Sequence, residues 1–249
     1  MTKLAGKTAV VAGGGKNLGG LVSRHLAGLG ANVVVHYNSP SSEAEARETA
    51  AAVEAAGAAA LLFQGDLTAP STVTELFDAA VTEFGGVDVA VNTVGKVLRK
   101  PILETSEAEY DSMLDINAKA AYFFIKEAGR TLRDGGTLVT IVTALLGAFT
   151  DGYSTYAGGK SPVEHFNRAA AKEFAGRGIT VNAIAPGPMD TPFFYGQETP
   201  ERVEFHKSQG MGGRLTLIED IAPIVDFLAT DGHWITGQTL FANGGYTTR

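Results

Sequence analysis

The chain has 249 residues, a formal charge of −7 and no cysteine. The acidic balance and the absence of any Lys/Arg run argue against nucleic acid or an anionic membrane as partner. The missing thiols exclude disulfides, thiolate chemistry and Cys-ligated zinc, and no other metal-ligand spacing is present.

Thr8–Ala12 reads as a short buried strand that enters Gly13-Gly14-Gly15-Lys16-Asn17-Leu18-Gly19-Gly20 and then a helical pattern through Leu21, Val22, His25, Leu26 and Leu29. Residues 31–36 form the next strand, 42–56 an Ala/Glu-rich helix, 58–64 a strand, 71–84 a helix and 86–92 a fourth strand. Helices over 107–117 and 118–132 precede a fifth strand over 136–143. A helix opening near Ser154 leads to a sixth strand over 179–185. Residues 186–213 read as loop, and a helix near 219–229 and a short strand over 238–241 close the chain. The apolar strands are continuous, as expected of a parallel sheet covered on both faces, and their alternation with helices predicts a doubly wound α/β sheet. With no repeat or linker, residues 1–249 read as one domain. The N-terminus shows no signal-peptide pattern and no apolar stretch is long enough to span a membrane, so the expectation is a cytoplasmic protein.

Glycine is frequent, 31 residues or about 12% against an ordinary ~7%, and its densest run is at the first strand-to-helix turn. Glycines there let a pyrophosphate approach the backbone, and the helix N-terminus offers free N–H groups. The turn does not keep the G-x-G-x-x-G spacing, because the third glycine would fall at Leu18. Far downstream, Tyr156 and Lys160 stand four residues apart, on one face if helical. An ammonium near a phenol favours the phenolate, so the pair is a candidate general acid/base.

Together the turn and Tyr156-x-x-x-Lys160 resemble the short-chain dehydrogenase/reductase family, with T-G-x-x-x-G-x-G at the turn; Gly13 and Gly19 match, while Ala12 and Asn17 depart. Asn17 is the non-glycine type that best tolerates left-handed backbone. The resemblance runs through Asp66-Leu67, Asn92 and Gly95 (with Thr93 and Val94 departing), Asn117, Asn182, Pro186-Gly187-Pro188-Met189-Asp190-Thr191, Gly237 and Gly244-Gly245. It implies a Rossmann-type fold of about seven parallel strands. It also implies a cofactor site built from Gly13, Gly15, Lys16, Asn17, Leu18, Gly19, Tyr37, Asn38, Ser39, Asp66, Leu67, Asn92, Gly95, Tyr156, Lys160, Pro186, Gly187, Met189 and Thr191. The implied catalytic set is Asn117, Thr143, Tyr156 and Lys160, with Thr143 on the fifth strand where serine is usual.

After the second strand, His36-Tyr37-Asn38-Ser39 holds no acid to bond a ribose or repel an extra phosphate, and Lys16 adds a positive charge. The expected cofactor is therefore NADP(H), with NAD(H) as the alternative. The implied reaction is carbonyl reduction, with Tyr156 donating the proton, Lys160 lowering its pKa and Asn117 positioning a water. Ala144, Leu145, Phe149, Tyr153, Phe193 and Phe194, joined by Leu146 and Tyr195, are the pocket candidates and favour an uncharged carbonyl compound. His165, His206 and His233 read as surface or structural residues. A homo-oligomer, tetramer or dimer, is implied. An oxidative alcohol dehydrogenase and a non-catalytic NADP-binding regulator stay open. Pro162, inside the helix that carries the pair, predicts a bend or a later helix start.

Overall fold

A computed structural model describes residues 2–248. Seven strands, β1 (Thr8–Ala12), β2 (Asn32–Tyr37), β3 (Ala60–Gln64), β4 (Val87–Asn92), β5 (Leu132–Ile141), β6 (Thr180–Pro186) and β7 (Thr239–Ala242), pair in the order β3-β2-β1-β4-β5-β6-β7. Every pairing is parallel. The order reverses between β1 and β4, and in open α/β sheets a ligand crevice forms outside the strand C-termini at such a switch point.

Two apolar layers hold the sheet. On one face Ala9, Val11, Val33, Val35, Val89 and Val91 pack under α1 (Asn17–Gly28) and α9 (Ile218–Thr230). On the other, Val10, Ala12, Val34 and Ala90 pack with Phe77 of α3 (Pro70–Phe84) and Phe124 of α5 (Ala120–Thr131). Because successive strand residues point to opposite faces, burial on both faces accounts for the unbroken apolar runs. The helix α2 (Glu43–Ala55) lies against β2 and β3, and α4 (Glu107–Leu114) against α6 (Ser154–Glu173).

Three expectations change. The segment read as loop folds into two helices, α7 (Pro192–Tyr195) and α8 (Pro200–Gln209); each starts on a proline at its first turn, where the missing N–H costs nothing. Thr143 lies past the end of β5, where its Oγ1 accepts from Leu145 N at 3.3 Å and caps a 3₁₀ turn. Pro162 neither delays nor interrupts α6. The carbonyl that proline leaves unbonded belongs to Gly158, which is exposed and open to water, and Ser161 Oγ donates to the adjacent Ala157 carbonyl at 2.7 Å.

Candidate active site

The glycine turn is shaped by what a side chain would strike. A Cβ on Gly19 would lie 2.1 Å from the Gly13 carbonyl, and one on Gly15 would lie 2.9 Å from Ala46 Cβ. Gly13 (φ 72°) needs the left-handed region, and Asn17 takes it at φ 48°, the one non-glycine residue with positive φ among the described residues. The expectation that Asn17 replaces a glycine without loss of the turn is thus met in its backbone. Two other departures offset each other. Ala12 has no hydroxyl, and Thr93 Oγ1 donates to the Ala12 carbonyl at 2.8 Å.

His36 was unremarkable in the sequence and is central here. It is buried, its Nδ1 accepts from Gly13 N at 2.9 Å, and its Nε2 lies 2.8 Å from the Gly65 carbonyl. A carbonyl only accepts, so Nε2 carries the proton and the ring is neutral. Burial pushes the His36 pKa below the ordinary histidine value, against the pull of Gly65 and Asp66. One side chain therefore ties the turn after β1 to the turn after β3.

A cleft of about 980 Å³ opens above the strand ends. Of the expected cofactor residues, Gly13, Gly15, Lys16, Asn17, Leu18, Gly19, Tyr37, Asn38, Asp66, Leu67, Gly95, Tyr156, Lys160, Met189 and Thr191 line it. Ser39 does not; its hydroxyl pairs with Ser41 at 2.9 Å, and Ser42 takes its place, bonded by Lys16 Nζ at 3.0 Å. Asn92 is buried behind the wall, where its Oδ1 accepts from Val94 N at 2.9 Å and turns the chain. Pro186 and Gly187 line a second cavity instead. The cleft also takes in Lys96, Ala108, Asp111, Ser112 and Asp115, contributed by a segment that carries no recognisable motif.

The catalytic candidates meet where the cleft joins the second cavity, and Tyr156 lines both. Burial pushes the Tyr156 phenol up to about 12, against the pull of the Thr143 hydroxyl beside it, which favours the phenolate. Lys160 is buried; its Nζ donates to the carbonyls of Val94 at 3.1 Å and Ile141 at 3.0 Å, and burial brings its pKa down to about 8. The Lys160 ammonium is thus held by two backbone carbonyls beside the phenol-bearing turn of α6. Asn117 lies in a π-helical turn, Asp115–Lys119, between α4 and α5. Its Nδ2 donates to Lys96 O at 2.8 Å and Met113 O at 3.0 Å, and its Oδ1 accepts from Lys96 N at 3.2 Å. Single π turns of this kind recur at functional sites. A Cβ on Gly95 would stand 2.9 Å from both Asn117 Oδ1 and Lys160 Nζ, so the glycine keeps those two groups facing one open spot.

The second cavity is small. Val97, Ala144, Leu145, Tyr153, Phe193, Phe194, Gln197, His206 and Tyr246 contribute to its wall. Phe149 does not; it is fully exposed on the loop before α6. Leu146 packs into an apolar cluster under α6, and the exposed Tyr195 donates to Asp190 at 2.8 Å. His206 is not a surface residue: it is buried at 5% exposure and belongs to the cavity wall. Gln197, His206 and Tyr246 come from α8, its approach and the chain end, which no local motif marks.

A doubly wound sheet with a glycine cradle at its switch point, and a Thr–Tyr–Lys–Asn set beside it, defines a nicotinamide-dinucleotide oxidoreductase. Comparison with known proteins agrees. A family model described as enoyl-(acyl carrier protein) reductase matches residues 13–247. An Arabidopsis thaliana protein named NADPH-dependent aldehyde reductase-like, chloroplastic, is 36% identical over 98% of this chain and 95% of its own. A solved structure from Burkholderia cenocepacia with bound NADP shares 58% identity and superposes with a TM-score of 0.97, covering 100% of this chain and 96% of the other. The angucycline C-6 ketoreductase LanV with bound NADP is 30% identical with a TM-score of 0.91, covering 98% and 96%. The chain belongs to the short-chain dehydrogenase/reductase family and is an oxidoreductase.

Proposed function

We propose that the protein is an NADPH-dependent reductase of small carbonyl compounds. The observation that carries the reading is that Tyr156, with Thr143 beside it, stands at the junction between the long cleft and a small, mostly apolar cavity. A substrate carbonyl seated in the cavity would lie beside both hydroxyls and face the cleft.

The cleft fits a dinucleotide. The Gly13 and Gly19 positions form a cradle that a Cβ would fill, and α1 begins directly beneath it with free N–H groups. Tyr37, Asn38, Ser42 and Lys16 form the adenosine end. With no acid at the end of β2, and with Lys16 3.0 Å from Ser42 and paired with the exposed Glu45 at 3.5 Å, a phosphate on the ribose would take the place of Glu45 beside the ammonium. The NADP in the Burkholderia structure and the NADPH in the Arabidopsis name support the same preference. Bound NADPH supplies the hydride. Thr143 and Tyr156 hold the carbonyl oxygen as negative charge develops on it, and Tyr156 donates its proton from a phenol that burial keeps neutral. Lys160 and Asn117 hold the loop at Gly95 and face the open spot from which the phenol is reprotonated.

The test is NADPH absorbance against a panel of aldehydes and ketones, with NADH in parallel. NADPH consumption that Tyr156→Phe abolishes supports the reading; equal turnover in that variant, or a clear NADH advantage, overturns its mechanism or its cofactor. A carrier-protein substrate has no support in the basic residues, because Arg130, Arg133 and Arg168 are each engaged by acids: Asp78 and Glu127, Asp88, and Glu164. The same proposal includes a cytoplasmic homo-oligomer. Among the described residues no helix is long and apolar enough to cross a membrane, and Tyr110 of α4 and Tyr122 of α5 are exposed. Light scattering after size exclusion tests the assembly.

A further inference from the structure

The cavity wall beyond Tyr156 carries a chain of polar groups in which two phenols and an imidazole turn toward one buried carboxylate. Glu198 stands behind the wall with its side chain fully buried. Its Oε2 lies 3.2 Å from Arg202 Nε and 3.8 Å from Arg99 Nε, so two guanidinium groups flank a carboxylate. Asp151 holds the outer side of both, 3.0 Å from Arg202 and 3.4 Å from Arg99. The clamp ties the start of α8 to the segments around Arg99 and Asp151, and Gln197 Oε1 adds a bond from Arg99 N at 3.0 Å.

A carboxylate only accepts. The Tyr153 hydroxyl therefore donates to Glu198 Oε1. His206 Nε2, 3.3 Å from the same oxygen, carries its ring proton there. Burial pushes the His206 pKa below its ordinary value, so the ring is neutral and Nδ1 is left as an acceptor. The Tyr246 hydroxyl, 2.9 Å from Nδ1, donates to it. One assignment satisfies every bond: Tyr246 to His206, His206 to Glu198, Tyr153 to Glu198. Both phenol protons point into the relay, and what remains on the two phenol oxygens is lone pairs. Tyr153, His206 and Tyr246 all line the cavity, and the Tyr153 ring lies 6.3 Å from the Tyr156 ring.

We propose that the wall formed by Tyr153, Glu198, His206 and Tyr246 is a hydrogen-bond-accepting subsite, which selects carbonyl substrates bearing a second group that donates, a hydroxyl or an N–H, one ring's width from the carbonyl. This rests on the carbonyl-reductase reading and narrows it. Tyr156 donates to the reacting oxygen; the Tyr153 and Tyr246 oxygens can only receive. A substrate with a second carbonyl or an ether there would set lone pair against lone pair, and a site built around buried polar groups rejects an analogue that leaves them unmatched.

The experiment compares 3-hydroxybenzaldehyde with 3-methoxybenzaldehyde, a donor and an acceptor of similar ring electronics, as substrates with NADPH. The wild type is expected to favour the hydroxy compound at least tenfold in kcat/KM. Tyr153→Phe and Tyr246→Phe are each expected to narrow that ratio, and their double variant to bring it within about twofold. A wild-type ratio near one, or an unchanged ratio in the double variant, overturns the proposal. Calorimetric binding of 3-hydroxybenzyl and 3-methoxybenzyl alcohol to the NADP⁺-loaded protein gives a second readout. If neither aldehyde is reduced but the hydroxy alcohol binds at least tenfold tighter, the accepting wall stands and the reductase reading falls. If the two alcohols bind equally, the accepting wall falls, whatever the rates.

Discussion

Replacing His36 by leucine tests whether the cofactor cradle depends on the buried side chain that braces it. Leucine is of similar size, so the buried site stays filled, but the Gly13 N–H and the Gly65 carbonyl both lose their partner. Both glycines are half-buried, so water recovers part of the roughly 1–3 kcal/mol that each fully buried unsatisfied group would cost. A sum of about 1–3 kcal/mol lowers Tm by roughly 2–10 °C for a chain this long. NADPH affinity falls in the same variant, because Gly13 opens the turn that the histidine anchors. His36→Asn is expected to recover part of both losses, since its Oδ1 can accept in place of Nδ1. The wild type carries a matching pH signature. A histidine held neutral by burial binds fewer protons folded than unfolded, so it favours the fold fully above the ordinary histidine range, and that stability declines as pH drops below about 6.5. The decline is expected to be shallower in His36→Leu. Differential scanning fluorimetry across pH 5–8, with NADPH titrated by fluorescence at about pH 7.5, measures all three. A leucine variant with wild-type Tm and wild-type NADPH affinity would refute the account.

Tyr156→Phe keeps the ring contacts to Tyr153 and Phe193 and removes the proton donor, so kcat is expected to fall about 10²–10⁴-fold while NADPH affinity, read by fluorescence, stays within about twofold. Gly19→Ala would put a methyl group 2.1 Å from a backbone oxygen that cannot yield cheaply, and a drop of tenfold or more in NADPH affinity by calorimetry is the expected outcome. Lys160→Met abolishes turnover and shifts Tm in a pH-dependent way: removing a buried ammonium whose pKa has come down from 10.5 to about 8 relieves on the order of 3 kcal/mol near neutral pH, set against the loss of its bonds to the Val94 and Ile141 carbonyls. The relief is complete below about pH 8 and fades between there and 10.5, so the Tm of the variant relative to wild type should fall at alkaline pH; a difference that does not change with pH would contradict it.

Much of this architecture was legible because the periodicities are strong. Continuous apolar strands separated by amphipathic helices define a doubly wound sheet, and the strands overlap their expected spans closely, with β5 starting earlier and ending short of Thr143. What escaped follows physical rules that short windows do not carry. The segment 192–209 mixes polar residues with two prolines, and only the capping of α8 by Thr199, whose Oγ1 accepts from Arg202 N at 3.4 Å, marks it as helical. Phe149 looked like a pocket residue because it lies near Tyr153 in sequence, yet the loop turns it outward. His206 reads as a surface or structural residue in the sequence because its partners lie 8 and 40 residues away.

The Tyr156–Lys160 pair shows the same division most clearly. Spacing alone places both on one face of α6, and that is right. Charge logic then sets the ammonium to lower the phenol, and burial acts on both groups in the opposite sense. Lys160 lies among backbone carbonyls at the end of β5 and at Val94, where two hydrogen bonds hold it. Burial weakens its hold on a proton and strengthens that of the phenol. With the phenol at about 12 and the amine at about 8, the resting protein near neutral pH has a protonated Tyr156 and a mostly protonated Lys160. Those are the charge states for giving a proton to a carbonyl oxygen, rather than for taking one from an alcohol. Oxidation of an alcohol would need the phenolate, so its initial rate is expected to climb with pH where the rate of reduction does not, a contrast that assays of both directions across pH 6–10 would read directly.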